Sequence, residues 1–211
     1  MSLRYLIQQP QLQLDAARLR PAAAVISTGG LVLFPTETVY GIGADLRSPR
    51  GLARLAEVKQ RDGRQPWLVH CATVEQALEF TRKPDAAARR LAEKFWPGPL
   101  ALVLPAASGL PREVTAGTGT VGIRVVSVPA TRELVRELGS PLVGASANLR
   151  SKPATNSFHE IDRSIVRSCQ VVLDAGTCGS GRASTVLDVT CDPPRLLRAG
   201  SVTLREIQSV L

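Results

Sequence analysis

Aromatic residues make up only 4% of this chain. Packing therefore falls to Leu, Val, Ile and Ala, and stacking on single-stranded nucleic acid has few rings to use. Histidine is scarcer still: His70 and His159 are the pair. The cysteines, Cys71, Cys169, Cys178 and Cys191, show no C-x-x-C pairing. That spacing offers no convincing zinc site and points to reduced, structural thiols. No G-x-S-x-G, no H-E-x-x-H and no placeable Cys–His pair occurs, so no covalent nucleophile is expected. The glycine-rich stretch Gly176–Gly181 lacks the G-K-[ST] ending of a Walker loop, so any ATP site falls outside that class. No apolar run is long enough to span a membrane, and MSLRYLIQQPQLQLD has no signal-peptide core. A cytoplasmic protein without membrane contact is expected.

What is present is a chain of 211 residues, 44% of them hydrophobic, enough for a substantial core. Lys and Arg outnumber Asp and Glu by 26 to 18, a net charge of +8. Such an excess suggests an anionic partner, a nucleotide, tRNA or another polyanion, although an arginine-rich solvated surface has the same composition. The absence of a dense Lys/Arg block argues against a nucleic-acid-binding tail. No repeat or linker interrupts the sequence, and one domain over 1–211 is expected.

The stretch Leu31–Asp45, LVLFPTETVYGIGAD, organises the rest. Four apolar residues suit a buried strand, and Pro35 ends it because proline cannot donate to a sheet ladder. Thr36, Glu37 and Thr38 then place polar groups at the strand end, and Gly41 and Gly43 allow close approach of backbone or ligand. This is either the floor of a ligand site or an ordinary strand–turn–strand. Residues 1–12 read as a lead-in strand or loop, and Pro21–Thr28 as the end of a helix closed by Gly29-Gly30. Ser48-Pro49 starts a helix that puts Leu52, Leu55 and Val58 on one face and ends near Lys59. Thr73–Gln76 has capping-box spacing. Helices are also expected over Pro84–Phe95, Pro129–Leu138 and His159–Ser168, with a last one from Thr203. Strands are expected at Trp67–His70, Leu100–Leu104, Val121–Val125, Leu142–Val143, Val171–Leu173, Ser184–Val189 and Leu196–Arg198. Helices and strands alternate irregularly, and some adjacent strands lack a crossover. That pattern favours an α+β, three-layer α/β/α arrangement around a mixed sheet.

Three features have residue types suited to anions. Lys59-x-Arg61 offers a mobile point charge and a planar fork just past a helix, though a solvated helix end looks the same. Ser146-x-Asn148 offers a hydroxyl and an amide at the end of a buried strand, or an N-cap for the next segment. Thr120 and Arg124 lie four apart and so share one sheet face, with Ser184 and Arg198 near later strand ends. A buried Arg124 needs a partner, either a bound carboxylate or a structural acid. His70, ending an apolar strand, is a donor to a substrate carboxylate or a satisfied edge histidine.

FPTETVYGIGAD, KQR followed by PWLVH, then WPGPL, TVGIRV, SANLRSKP, ASTVLDVT and LLRAGSVT arrive in one order. From about Leu31 to Val202 this resembles the YrdC/Sua5 family of threonylcarbamoyl-AMP synthases. The resemblance implies a twisted, mixed parallel and antiparallel sheet flanked by helices, with a large, concave, basic site. It implies that L-threonine, bicarbonate and ATP give threonylcarbamoyl-adenylate and pyrophosphate, with Mg2+ on the triphosphate and no metal held by protein side chains. The product would feed a partner transferase complex that modifies tRNA to threonylcarbamoyl-adenosine. By motif, Thr38, His70, Arg124 and Ser184 look like threonine contacts. Lys59, Arg61, Gln65, Thr120, Ser146, Asn148 and Arg198 look like the nucleotide side, with Lys59 and Arg61 the residues on which catalysis would rest.

The sequence departs from the family pattern at Asp62-Gly63-Arg64-Gln65, at Gly144-Ala145 before the SAN, and at Arg150-Ser151. It stops near Leu211, where the longer Sua5 branch continues into a further domain. Two rivals carry different chemistry: a module binding tRNA or double-stranded RNA through the same concave surface, and a relative handling another carbamoyl-adenylate.

Overall fold

The computed structural model describes residues 2–7, 12–82 and 84–211. Its centre is a ten-stranded mixed sheet among the described residues. The strands are β1 Leu3–Leu6, β2 Val32–Phe34, β3 Gly41–Asp45, β4 Leu68–Cys71, β5 Leu100–Pro105, β6 Thr120–Val125, β7 Leu142–Ser146, β8 Val171–Asp174, β9 Thr185–Asp188 and β10 Arg195–Arg198. They lie in the order β1-β8-β2-β3-β7-β4-β6-β5-β9-β10. The pairs β1–β8, β8–β2, β4–β6 and β5–β9 are parallel, and the other pairs antiparallel.

Helices flank the sheet: α1 Ala16–Ser27, α2 Pro49–Val58, α3 Val74–Glu79, α4 Ala86–Phe95, α5 Arg112–Thr115, α6 Pro129–Leu138, α7 Arg163–Ser168 and α8 Leu204–Gln208. Helices α1 and α6 pack on each other, α2 lies on β3, and α3 on β4 and β6. Several starts follow from local chemistry. Ser48 accepts from the Gly51 amide at 3.2 Å, with Pro49 in the first turn. Thr203 and Glu206 form a complete capping box. At Thr73 the box is half made: Thr73 accepts from Gln76 N at 3.1 Å, but Gln76 Oε1 turns to the Ala72 amide at 2.8 Å. Helix α6 stops at Gly139, whose φ of 64° suits a residue without a Cβ.

The lead-in strand of residues 1–12 is β1; Met1 and residues 8–11 lie outside the described residues. The helix expected over His159–Ser168 is instead a 3-10 turn, Phe158–Glu160, followed by α7. Asp162 divides them, because its carboxylate accepts from Ser164 N at 2.8 Å and caps a new start. Strand β7 runs on to Ser146, further than the expected Leu142–Val143.

The sheet's two faces differ sharply. Val69, Ile123, Val143, Leu102 and Leu187 point to one side and are buried in the main core. Their alternate neighbours point to the other side, where the register aligns Leu68 with Gly122 and Gly144, and His70 with Arg124. That second face, from β3 to β10, carries the site.

Candidate active site

Period-2 alternation builds the cavity. Gly41 on β3, Gly144 and Ser146 on β7, and Leu68 and His70 on β4 line it from one side. Thr120, Gly122 and Arg124 on β6, Val103 on β5, and Ser184, Val186 and Asp188 around β9 complete the floor. Glycines on three strands keep that floor low. At Gly144 a Cβ would lie 2.7 Å from the Ile42 carbonyl oxygen, so no side chain fits. The turn after β2 forms one wall, with Thr36, Thr38, Val39 and Tyr40. The edge strand β10 forms another, where a register shift between Leu196 and Arg198 lets Arg195, Leu197 and Arg198 all face inward. The enclosed volume is about 560 Å3, within the usual range for small-molecule sites.

Four guanidinium groups line this space: Arg61, Arg124, Arg195 and Arg198. Two are paired with acids, Arg195 with Asp188 at 3.2 Å and Arg124 with Glu37 at 2.5 Å. Arg61 and Arg198 bond to neutral groups among the described residues. Arg61 donates to the Pro66 carbonyl at 3.1 Å and lies over the Trp67 ring, 4.0 Å from its centroid. Arg198 holds Ser184 through its carbonyl at 3.0 Å and its hydroxyl at 2.9 Å. Burial lowers the pKa of both guanidiniums, and the nearby Arg124 adds to the effect at Arg198. The site is thus a positively charged concavity with unspent donors. A second, shallower cleft on the molecule, around Arg4, His159, Arg163 and Arg167, carries part of the remaining positive charge.

Arg124 is the most informative of the four. It is 3% exposed, and its Nε has no hydrogen-bond partner among the described residues. A buried, unpaired N–H of a charged group is costly unless a ligand meets it. Thr38 is complementary. Thr36 Oγ1 donates its proton to the Val39 carbonyl at 2.6 Å, so the 2.7 Å contact between the two hydroxyls uses the Thr38 proton. The Thr38 oxygen is then left as an acceptor. His70, beside Arg124 in the parallel register, is buried with Nδ1 3.4 Å from the Leu142 carbonyl. Burial, and then the Arg124 charge, hold its pKa down to about 3. His70 is therefore a neutral ring at neutral pH.

Lys59 caps the end of helix α2, and Gln60 takes a φ of 49°, which turns the chain and throws Arg61 toward the cavity. Lys59 Nζ donates to the Ser146 carbonyl at 2.8 Å and to the Asn148 carbonyl, with Asn148 Oδ1 at 3.3 Å. Ser146 Oγ donates to the same Oδ1 at 2.5 Å. Burial, and then Arg61, lower the Lys59 pKa to about 8. Three acceptors around one ammonium favour the protonated form and oppose that shift.

A model for the Sua5/YciO/YrdC family, described as "Telomere recombination", matches residues 24–200. The chain belongs to the Sua5/YciO/YrdC family. It is similar to the threonylcarbamoyl-AMP synthase of Pyrococcus abyssi, 37% identical over 94% of this chain and 58% of the relative. It is also similar to the threonylcarbamoyl-AMP synthase of Bacillus subtilis, 36% identical over 95% of this chain and 58% of the relative. The chain thus spans under two thirds of the length of these relatives. A crystal structure of P. abyssi Sua5 complexed with L-threonine superposes with a TM-score of 0.91 at 34% identity, over all of this chain and 61% of that one. The mixed sheet flanked by helices is the fold of this Sua5/YciO/YrdC relative.

Of the residues singled out from sequence, Thr38, Arg61, His70, Thr120, Arg124, Ser146, Ser184 and Arg198 line the cavity. Lys59 and Asn148 do not line it; they are tied to each other behind Ser146. Gln65 lies on an exposed bend away from the wall. Sequence reasoning missed Glu37, Trp67, Asp188 and Arg195 as site residues. Glu37 stood in the key motif, but its partner is 87 positions away and nothing local announces the pair.

Proposed function

We propose that this protein makes threonylcarbamoyl-adenylate from L-threonine, bicarbonate and ATP, releasing pyrophosphate. The observation that carries the reading is the buried Arg124, its Nε unpartnered at the floor of a cavity rich in arginine. An amino acid's carboxylate meets that donor. The Thr38 oxygen accepts from the amine or hydroxyl of the same molecule. The names of the curated relatives and the L-threonine complex of the P. abyssi Sua5 support this assignment.

The threonine nitrogen and bicarbonate combine, with loss of water, to give an N-carboxylate. One of its oxygens attacks the α-phosphate of ATP, and the P–O bond to pyrophosphate breaks. Negative charge moves onto the departing pyrophosphate. Arg61 and Arg198 are fixed cations free of acid partners, suited to hold that charge without reorganising. Ser146 and Thr120 offer uncharged hydroxyls for ribose or phosphate oxygens. Among the described residues no cluster of three or more His, Cys, Asp or Glu could cage a metal. Of the acids at the cavity, Asp188 already serves Thr190 and Arg195. Magnesium would come as a companion of the triphosphate, where it would neutralise phosphate charge. The adenylate would be handed to a transferase that modifies tRNA, and a cytoplasmic location belongs to the same reading; no helix among the described residues is long and apolar enough to cross a membrane.

The test is pyrophosphate release from ATP and magnesium with threonine or bicarbonate omitted in turn. Release that needs both supports the synthase reading. Release without threonine, or none at all, overturns it, and salt-sensitive RNA binding in the latter case would favour a binding module.

A further inference from the structure

We infer that Glu37 is a positioning residue that aims Arg124 at the substrate carboxylate and keeps the empty site tolerable; this rests on the carboxylate-receptor reading above. Glu37 sits in the turn after β2, and both of its oxygens are used. Oε1 accepts from Arg124 Nη1 at 2.5 Å. Oε2 accepts from the Ser127 amide at 3.0 Å and the Ser127 hydroxyl at 3.3 Å. The carboxylate is thus fixed to the end of β6 at two points and cannot rotate freely. That single contact holds the guanidinium at its Nη1 corner. It leaves Nε without a protein partner among the described residues, on a side chain that is 3% exposed and lines the cavity.

An acid beside an anion receptor looks contrary to the purpose. It is not, once the empty site is considered. A lone guanidinium at this depth, with Arg198 and a neutral His70 as neighbours, would be an uncompensated buried charge. Glu37 compensates it on one edge and leaves the other for the ligand. Its backbone extends the same role to the glycine-rich loop, because the Glu37 carbonyl accepts from Ser180 N at 3.0 Å and the Thr38 carbonyl from Gly181 N at 2.9 Å. Turn, receptor and loop are therefore one assembly centred on Glu37.

Two variants separate positioning from mere scaffolding. Glu37→Gln keeps an oxygen that accepts from Nη1 but loses the acceptor facing Ser127 N. Glu37→Ala loses both. L-threonine binding is measured by calorimetry without ATP, KM values are measured for threonine and ATP, and stability by thermal melting. Positioning predicts a threonine Kd and KM raised about tenfold or more in Glu37→Ala, with the ATP KM within about twofold. Glu37→Gln should restore threonine affinity to within about threefold while its melting temperature stays lowered. Equal weakening toward both substrates, no rescue by Gln, or unchanged or tighter threonine binding in Glu37→Ala overturns the inference. Threonine binding without pyrophosphate release would sink the synthase reading but leave this one intact. A wild-type protein that binds no threonine would overturn the receptor reading and this inference together.

Discussion

Lys59 and Arg61 leave the end of one helix and do different work. Arg61 reaches the cavity with its guanidinium over Trp67, whereas Lys59 spends its protons on the Ser146–Asn148 loop. Arg61→Ala is expected to lower synthesis by about 100-fold or more with the fold retained, and Lys59→Ala to lower it by about tenfold or more through the loop it holds, which presents Ser146 to the cavity. Steady-state pyrophosphate release alongside circular dichroism checks this; near-normal turnover in either variant removes that residue from the mechanism. His70 gives a pH signature. Its folded pKa of about 3 lies below the ordinary 6.5, so between those values the unfolded chain binds a proton that the fold excludes. Stability therefore falls as pH drops from about 6.5 toward 3, by up to an amount on the order of 4 kcal/mol. Denaturant unfolding of the protein and of His70→Phe at pH 7 and pH 4 should show a smaller loss in the variant. Equal losses would place the acid sensitivity elsewhere.

Elements meet where side chains are missing. Gly179 has a φ of 58°, and a Cβ there would lie 2.4 Å from the Glu37 carbonyl carbon and 2.5 Å from Thr38 N. The glycine-rich loop can thus lie against the turn after β2, where Ser180 and Gly181 bond to it. Gly179→Ala is expected to cost about 1–3 kcal/mol and to weaken threonine binding more than ATP binding. Melting curves and the two KM values test this, and an unchanged threonine KM would separate the loop from the receptor. At this scale much was legible in the sequence. Ser48-Pro49, Pro129 and Thr203 mark helix starts that the structure reproduces, because caps depend on neighbours in sequence. The short α5 was not, since its four residues are too few to show a helical period.

For the whole molecule, the net charge of +8 and two cavity arginines without acid partners among the described residues, Arg61 and Arg198, are expected to give a field that draws anions in. The KM for ATP should rise several-fold between about 0.05 M and 0.5 M salt, as screening shortens the reach of that field. Initial rates at matched magnesium would show it, and a KM flat across that range would mean that ATP is held by contacts rather than steered by charge.

The sequence alone determined the motifs, their order, the capped helices, and the placement of Thr120 and Arg124 on one face of a strand. These arise from rules acting over a few residues: proline's missing N–H, hydroxyl caps, and the alternation of side chains along a strand. Only the tertiary structure decided that β4 lies between β7 and β6, which sets His70 beside Arg124. Only it decided that Glu37 meets Arg124 and that Lys59 turns to the loop rather than the cavity. Strand order and long-range ion pairs depend on how distant segments bury their shared apolar face, and no local spacing encodes which segments will meet.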